Sequence, residues 1–245
     1  LDLYDSFGVY VADDELSKSY AKAYGVDTLY QYQHGGLPNI ACEWPTSSYL
    51  NFTALTALSY SIFAPSNTAI NSFFDSFWKI GGYSSMQEVD ALALNYFLYQ
   101  FIYGGSMLFP EELGDDELKN LAGSSLNINP AALNEKTMCV NGALYGMDEI
   151  KEPSTFASVI GPLFQYKSAR SFLYALLGSS LFSSYVSDLS KYIVLVPTAE
   201  QFEASGIRTV YSTQGLEAEG DDGWAEISNT AKQNIVYLHS ASISS

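Results

Sequence analysis

Few residues of this 245-residue sequence have the types and spacing that catalysis requires. Ser19 and Lys22 form a Ser-x-x-Lys pattern, in which some acyl-transfer enzymes place a nucleophile and its base, but the companion Ser-Asp-Asn and Lys-Thr-Gly boxes do not occur. His34 and His239 are far apart, and neither has a nearby serine or cysteine in a nucleophile-elbow pattern. We therefore expect no catalytic residues, and we interpret Ser19 and Lys22 as part of a solvated helix face.

The acidic residues and the cysteines are the candidate metal ligands. Asp115–Glu117 and Asp221–Asp222 carry the oxygen ligands that calcium prefers, but neither has the alternating spacing of a calcium-binding loop. Cys42 and Cys139 lack the further ligands that zinc needs. The two thiols could pair in an oxidising compartment, or both could remain buried and free. The sequence therefore predicts no metal site and no cofactor.

The composition excludes several classes of partner. The chain has 27 acidic and 11 basic residues, a net charge of −16, so it lacks the basic surface that nucleic-acid binding needs, and an anionic membrane surface would repel it. Its 47% apolar content indicates a folded core, and no apolar run is long enough to span a membrane. The chain begins at Leu1 without a signal peptide, so we expect a processed or partial chain.

Local patterns predict short helices mixed with short strands. Apolar spacing predicts a helix over about residues 16–31, interrupted at Gly25, and the apolar run Tyr60–Pro65 predicts a strand. Asn141-Gly142 is the strongest hairpin signal in the chain. The other predicted elements are helices over about 67–77, 86–103 and 169–186, and strands at Tyr99–Tyr103, Leu126–Asn129, Thr137–Val140 and Leu144–Ile150.

One pattern occurs twice in the chain. Tyr60–Ile70 and Tyr192–Phe202 align at a constant offset of 132 residues, which places Pro65 over Pro197. Both stretches are typical of an apolar strand that is ended by proline, followed by a hydroxyl cap and a helix. A weaker pairing aligns Leu98–Gln100 with Tyr237–His239 at an offset near 139. The spacing predicts two copies of one unit.

The residues of these copies resemble a known family, the fasciclin-like domains. Ser61–Ile70 is similar to the first signature block of that family, and three further blocks follow in the family's order at Leu98–Ile102, Leu118–Ser124 and Asn141–Ile150, the last with Pro153. The resemblance predicts an N-terminal extension at 1–23, a first domain at 24–155 and part of a second domain at 156–245.

This resemblance implies an α+β fold, a wedge of two short β-sheets flanked by helices. The second copy lacks the later blocks, so we expect its open sheet edge to be covered in one of three ways. The natural chain continues past Ser245, which we favour, or a partner chain supplies the strands, or residues 1–23 fold back. The motif residues to which the resemblance gives a structural role are Pro65, Asn67, Asn141, Gly142, Asp148 and Pro197.

The same resemblance implies a non-enzymatic adhesion or binding module, secreted or on the cell surface, as a lipoprotein anchored through a missing N-terminus or free. Its partner would be a surface or matrix protein or a glycan. Two adhesion motifs of the animal family depart here, at Tyr99-Gln100 and at Lys136-Thr137. The alternative function is binding of a small apolar ligand or a polysaccharide. The candidate contact residues are Trp44, Tyr99, Gln100 and Trp224, because aromatic anchors dominate interface hot spots.

Overall fold

The computed structural model describes residues 3, 6, 8–34, 59–114, 117–126, 128–139, 142–186 and 191–243. Within these ranges the chain forms short helices and four small sheets, which confirms the expected α+β class. The strands are β1 (Gly8–Ala12), β2 (Tyr30–His34), β3 (Tyr60–Pro65), β4 (Ile102–Gly104), β5 (Leu133–Cys139), β6 (Gly142–Met147), β7 (Lys191–Val194), β8 (Ile207–Val210), β9 (Gly215–Gly220), β10 (Gly223–Glu226) and β11 (Ser240–Ile243). The helices are α1 (Asp14–Tyr24), α2 (Asn67–Ser76), α3 (Ala91–Tyr99), α4 (Ser154–Ala157), α5 (Gly161–Gln165), α6 (Arg170–Gly178), α7 (Phe182–Val186), α8 (Ala199–Ala204) and α9 (Asn229–Leu238).

The chain divides into two compact units. Unit 1 comprises Leu1–Ser66 and Asn95–Glu149, and unit 2 comprises Asn67–Leu94 and Ile150–Ser245. The sheets β1-β2 and β4-β3-β6-β5 lie in unit 1, and the sheets β10-β9-β8 and β11-β7 lie in unit 2. The division of residues 24–245 into two repeated domains stays a prediction.

Strand β3 is an inner strand of the unit 1 sheet, between β4 on one edge and β6 on the other. Phe63 of β3 is fully buried, and its ring stacks on Tyr145 of β6 with 5.3 Å between the ring centroids. The Tyr145 hydroxyl donates a 2.6 Å hydrogen bond to the carbonyl oxygen of Leu108. The N–H of Leu108 in turn donates to the hydroxyl of Ser61, at 2.8 Å. The Tyr145 side chain and the backbone of Leu108 therefore lie against the face of β3 that carries Ser61 and Phe63.

Gly142 allows β6 to approach β3 closely. It has φ +152°, and a Cβ at this position would overlap the carbonyl oxygen of Tyr60. The predicted hairpin is confirmed, since β5 and β6 are antiparallel with Cys139 opposite Gly142. Gly142 is the first residue of β6 rather than part of the predicted Asn141-Gly142 turn.

Helix α1 ends earlier than the apolar spacing predicts. Gly25 adopts φ +69°, and the N–H of Val26 donates to the carbonyl oxygen of Ala21 at 3.1 Å, which closes the helix. The interruption predicted at Gly25 is confirmed, but the expectation that the helix resumes to about residue 31 is wrong, because Tyr30 begins β2. Strand β1, which the sequence did not predict, pairs antiparallel with β2. The part of residues 1–23 that the structure describes as a strand is thus paired within unit 1.

Three other expected elements differ in extent. The expected strand at Leu126–Asn129 is wrong over the residues described there, because Leu126 instead donates its N–H to the Leu118 carbonyl oxygen in a turn, at 2.8 Å. The helix expected over 86–103 is a short 3-10 helix at Met86–Glu88 followed by α3. The helix expected over 169–186 is interrupted at Ser180, whose φ of +61° is incompatible with a continuous helix.

A cluster of aromatic side chains forms the core of unit 2. Trp78 is fully buried, and its indole N–H donates to the carbonyl oxygen of Phe164 at 3.1 Å. The ring of Phe156 stacks on Phe77 at 5.0 Å and on Phe164 at 5.2 Å. Because the indole N–H is paired and the rings are stacked, this cluster buries large apolar area without leaving the indole donor unsatisfied.

A buried polar group joins the segment before α3 to α6. The Asp90 carboxylate, which is only 7% exposed, accepts a short hydrogen bond from the Tyr174 hydroxyl. The Arg170 guanidinium packs over the rings of Tyr83 and Tyr211, at 5.4 and 4.8 Å. Burial raises the pKa of Tyr83 to about 12, although the nearby Arg170 partly opposes this shift.

Replacing Tyr83 with phenylalanine should flatten the loss of stability at alkaline pH. The unfolded chain releases the Tyr83 proton near pH 10, whereas the folded protein keeps it to about pH 12. The stability that neutral Tyr83 contributes is therefore complete below pH 10 and is lost as the pH rises towards 12. Urea denaturation at several pH values checks this, with the exposed Tyr166→Phe as the control. An identical pH slope for Tyr83→Phe and the wild type would contradict it.

Adding a single methyl group at Gly142 should disrupt the β3–β6 pairing. The Cβ of Gly142→Ala overlaps backbone rather than a movable side chain, so we expect a loss of at least about 2 kcal/mol in the free energy of unfolding. Gly114→Ala is the matched control, because its Cβ meets no atom within 4 Å, and it should change stability by less than about 0.5 kcal/mol. Equal stabilities of the two variants in urea denaturation would rule out the close approach.

Candidate binding site

A cavity of about 540 Å³ opens to solvent in unit 2, where the chain leaves β7 and enters α8. Its volume is in the range of pockets that hold small ligands or an anchoring side chain. We call this cavity the β7 groove. Its lining is mainly apolar, and the lining residues are Leu195, Val196, Pro197, Gln201, Phe202, Ser205, Ile207, Ile235 and His239.

The sequence builds one wall of the β7 groove through a strand end and a helix cap. Pro197 follows β7, and Thr198 caps α8 in a capping box. In this box Gln201 donates its N–H to the Thr198 hydroxyl at 3.4 Å, and the Gln201 side-chain oxygen accepts from the Thr198 N–H at 2.8 Å. The cap fixes the start of α8 and thereby places the buried Phe202 against the cavity. The strand, proline, hydroxyl cap and helix predicted for this stretch are all present.

His239 contributes the imidazole of the groove. Its Nδ1 lies 2.7 Å from the carbonyl oxygen of Ile235, and its ring meets Phe172 edge-on with centroids 6.0 Å apart. Its own carbonyl oxygen accepts the N–H of Leu195 at 2.7 Å, which ties the end of α9 to the end of β7. The imidazole is thus held by packing and by backbone. In the ranges the structure describes, no three histidine, cysteine or acidic side chains cluster closely enough to hold a metal ion.

Exposed apolar side chains continue from the groove along β7. Leu195 is 67% exposed, Ile193 is 54% exposed and Val196 is 37% exposed. Scattered apolar residues are common on protein surfaces, but a contiguous group beside an open apolar cavity is typical of an interaction site. We call Ile193, Leu195 and Val196 the groove rim.

Trp224 is placed outside the groove. It lies in β10 rather than in the loop that the sequence suggested, and it is 40% exposed. The Arg208 guanidinium packs 4.5 Å from the indole ring and also bonds to Glu217 at 2.6 and 2.8 Å. Asp221 and Asp222 form the exposed two-residue turn between β9 and β10, as the solvated-loop interpretation expects. A contact role for Trp224 stays a prediction.

Gln100 joins two of the sequence blocks within unit 1. Its side-chain oxygen accepts a 3.1 Å hydrogen bond from the side-chain amide of Asn120. The Asn120 oxygen accepts from the N–H groups of Ala122 and Ser124, at 3.0 and 3.1 Å, and so shapes the turn of the Leu118–Ser124 block. Tyr99 is half-buried beside Tyr96, and burial raises its pKa. These contacts give Gln100 a structural role, and a contact role for Tyr99 and Gln100 stays a prediction.

The other candidates divide between described and undescribed parts of the chain. Pro65 ends β3, Asn67 begins α2, and Asp148 is exposed after β6. Cys139 is free and exposed, so the expectation of a buried thiol is wrong for this residue. The reason is that β5 is an edge strand whose residues after Leu133 face solvent. The candidates outside the described residues are Cys42, Trp44, Asp115, Asp116, Asn141 and the side chains of Ser19 and His34.

Sequence reasoning missed the groove rim. Ile193, Leu195 and Val196 form an apolar run before a proline, and such a run predicts a buried strand. The absence of the later blocks from the second copy did predict an open sheet edge there, but it did not name the side chains that this edge exposes.

Comparison with known proteins gives a distant structural likeness. No protein family matches the sequence, and no curated protein matches it. Among solved structures, the chain is similar to a FAS1 domain pair from the insect cell adhesion molecule fasciclin I, at 13% identity and a TM-score of 0.28. The match covers 79% of this chain and 68% of that one. None of the described helices is long and apolar enough to cross a membrane.

The Gln100–Asn120 contact should appear as a coupling energy. Asn120→Ala removes the oxygen that accepts the N–H groups of Ala122 and Ser124, and we expect it to cost about 1–3 kcal/mol of unfolding free energy. Because Gln100 acts through Asn120, the Gln100→Ala and Asn120→Ala effects should be non-additive by at least about 0.5 kcal/mol in a double-mutant cycle. Additive effects in urea denaturation would show that the two side chains act independently.

Proposed function

We propose that this protein is a binding module that attaches to a partner protein through the β7 groove and its rim. The observation that carries the proposal is an open apolar cavity continuous with exposed apolar side chains of β7. Removing these side chains from water on binding would favour association by roughly 25 cal/mol for each Å² of apolar surface buried.

The arrangement of the groove favours a macromolecular partner. A pocket that encloses a small ligand buries most of that ligand, whereas this cavity is open and its rim extends along a strand. Protein interfaces combine such an apolar centre with a polar border. Gln201 and Ser205 supply polar groups at the border of the groove.

The setting that we propose for the module is supported by the fasciclin-like resemblance of the sequence. This resemblance supports a role in adhesion at the cell surface or in the extracellular matrix, without catalysis. A lipid anchor would suit the same setting. The net charge of −16 adds that the partner surface is not strongly acidic.

A second candidate function is binding of a small apolar ligand. The volume of about 540 Å³ favours it, because one medium-sized apolar molecule would fill the cavity. Polysaccharide binding is the other form of this alternative, for which the half-exposed Trp224 provides a stacking surface.

Panning a phage-displayed random peptide library on the immobilised protein tests the proposal. We expect peptides that bind the wild type and are lost on a Leu195→Ser, Val196→Ser double variant. They should be retained on Ile80→Ser, which alters an apolar side chain that is 64% exposed elsewhere in unit 2.

Two parallel measurements separate the alternatives. Binding of the neutral apolar dye Nile red to the wild type, with no peptide enriched, would favour the small-ligand function. Signals on a glycan array that Trp224→Ala abolishes would favour polysaccharide. Either result without peptide binding would contradict the proposed protein contact.

A further inference from the structure

Strands β3 and β7 occupy the same place in two similar arrangements. Along the chain, β3 is followed by α2, then α3, and then β4, which returns antiparallel to β3. Strand β7 is followed by α8, later by α9, and then by β11, which returns antiparallel to β7. The three-stranded sheet β8-β9-β10 is inserted between α8 and α9 in the second arrangement.

The two arrangements have the same pairing register. Ser61 pairs with Tyr103 and Ile62 with Ile102, while Ile193 pairs with Ala241 and Val194 with Ser240. The first strands therefore correspond at an offset of 132 and the returning strands at an offset of 138. The sequence had suggested an offset near 139 for the second pairing.

Backbone hydrogen bonds outside the strands follow the same offsets. Phe63 donates its N–H to the Phe101 carbonyl oxygen at 2.8 Å, and Leu195 donates to that of His239 at 2.7 Å. The caps of α3 and α9 also correspond, because the carbonyl oxygens of Asp90 and Ser228 each accept the N–H four residues later, both at 3.0 Å.

The two strands differ in what covers them. In β3, Ser61 and Phe63 are fully buried, while the corresponding residues Ile193, in β7, and Leu195, directly after it, are 54% and 67% exposed. Strand β6 pairs with the second edge of β3, and its Tyr145 covers Phe63. Among the described residues, β11 is the one strand that pairs with β7.

The second edge of β7 presents backbone groups that can bind a strand. Leu195 directs its N–H to the β11 side, and successive residues of a strand point to opposite edges. Val194 therefore directs its N–H group to the second edge, as does Val196 if the alternation continues past the end of β7, and these groups correspond to those of Ile62 and Ala64 on the β6 side. Such an edge is a template for strand addition.

We propose that β7 binds an extended segment of a partner protein as an added parallel strand. The segment carries a glycine opposite Tyr192 and an aromatic residue three positions later, beside Leu195. The glycine requirement comes from Gly142, whose position opposite Tyr60 leaves no room for a Cβ. The aromatic requirement comes from Tyr145, which pairs with Phe63. This inference rests on the proposed function and specifies the partner's chemistry.

A second copy of the chain is a poorer source of this strand. Its own Gly142–Met147 has the required pattern, but that segment is already paired with β3. Withdrawing it would expose the fully buried Phe63 and break the Tyr145 hydrogen bond to Leu108. A different polypeptide is therefore a better source of the strand than a second copy of these residues.

Fluorescence anisotropy with a labelled synthetic peptide tests the inference. The probe is Asn-Gly-Ala-Leu-Tyr-Gly-Met-Asp-Glu-Ile, which copies residues 141–150. We expect saturable binding to the intact protein. A Gly-to-Val change at the second position or a Tyr-to-Ser change at the fifth should each weaken binding by at least about tenfold.

The protein variants locate the binding edge. Leu195→Ser should weaken peptide binding by at least about tenfold, and Ile80→Ser, of nearly equal exposure, should leave it within about twofold. Circular dichroism establishes that both variants are folded. Since both side chains are mostly exposed, neither substitution removes core packing.

The outcomes that overturn the inference are distinct from failure of the proposed function. If phage-derived peptides bind the groove but lack the glycine–aromatic pattern and the probe does not bind, the strand inference fails and the proposed function stands. A free protein that is dimeric by sedimentation, and whose dimer Leu195→Ser dissociates, would make a second copy the occupant and overturn the choice of partner. If neither library nor probe binds, both proposals fail.

Discussion

An apolar strand whose two edges are both paired is the constraint on which unit 1 depends. Strand β3 can bury Phe63 only because β6 lies against its second edge and brings Tyr145 into contact. That close approach requires glycine at position 142, because a Cβ there would overlap the backbone of Tyr60. One glycine, one ring stack and one buried serine thereby determine whether a Ser-Ile-Phe-Ala-Pro run becomes an inner strand or an exposed edge.

Strand β7 has nearly the same sequence pattern and pairing as β3, but its apolar side chains are exposed instead of buried. Its register with β11 and its link from Leu195 to His239 match those of β3, yet its apolar face meets solvent. Unit 2 does not need that face for its own core, since Trp78, Phe156 and Phe164 pack elsewhere in the unit. The exposed strand can therefore serve binding without loss of the aromatic core that stabilises unit 2.

The sequence was sufficient to predict the local elements, but it was insufficient to predict which segments pack against them. Proline at the end of each strand, the hydroxyl of Thr198 and the glycine of the hairpin have strong local conformational preferences, and each was predicted close to its observed place. The exposure of Leu195 and Cys139, the pairing of β1 with β2 and the location of Trp224 in a strand were not predicted. Periodicity indicates which residues share a face, but the partner that covers that face is chosen by segments distant in sequence.

The most direct test of the account is amide hydrogen exchange in the free protein, resolved by residue. The N–H groups of Ile62 and Ala64, which face β6, should be protected, as should that of Leu195, which faces β11. The corresponding groups of Val194 and Val196 should exchange rapidly, because no strand among the described residues pairs with the edge to which they point. Protection of Val194 and Val196 equal to that of Ile62 and Ala64 would contradict the central claim that β7 is an unfilled inner strand.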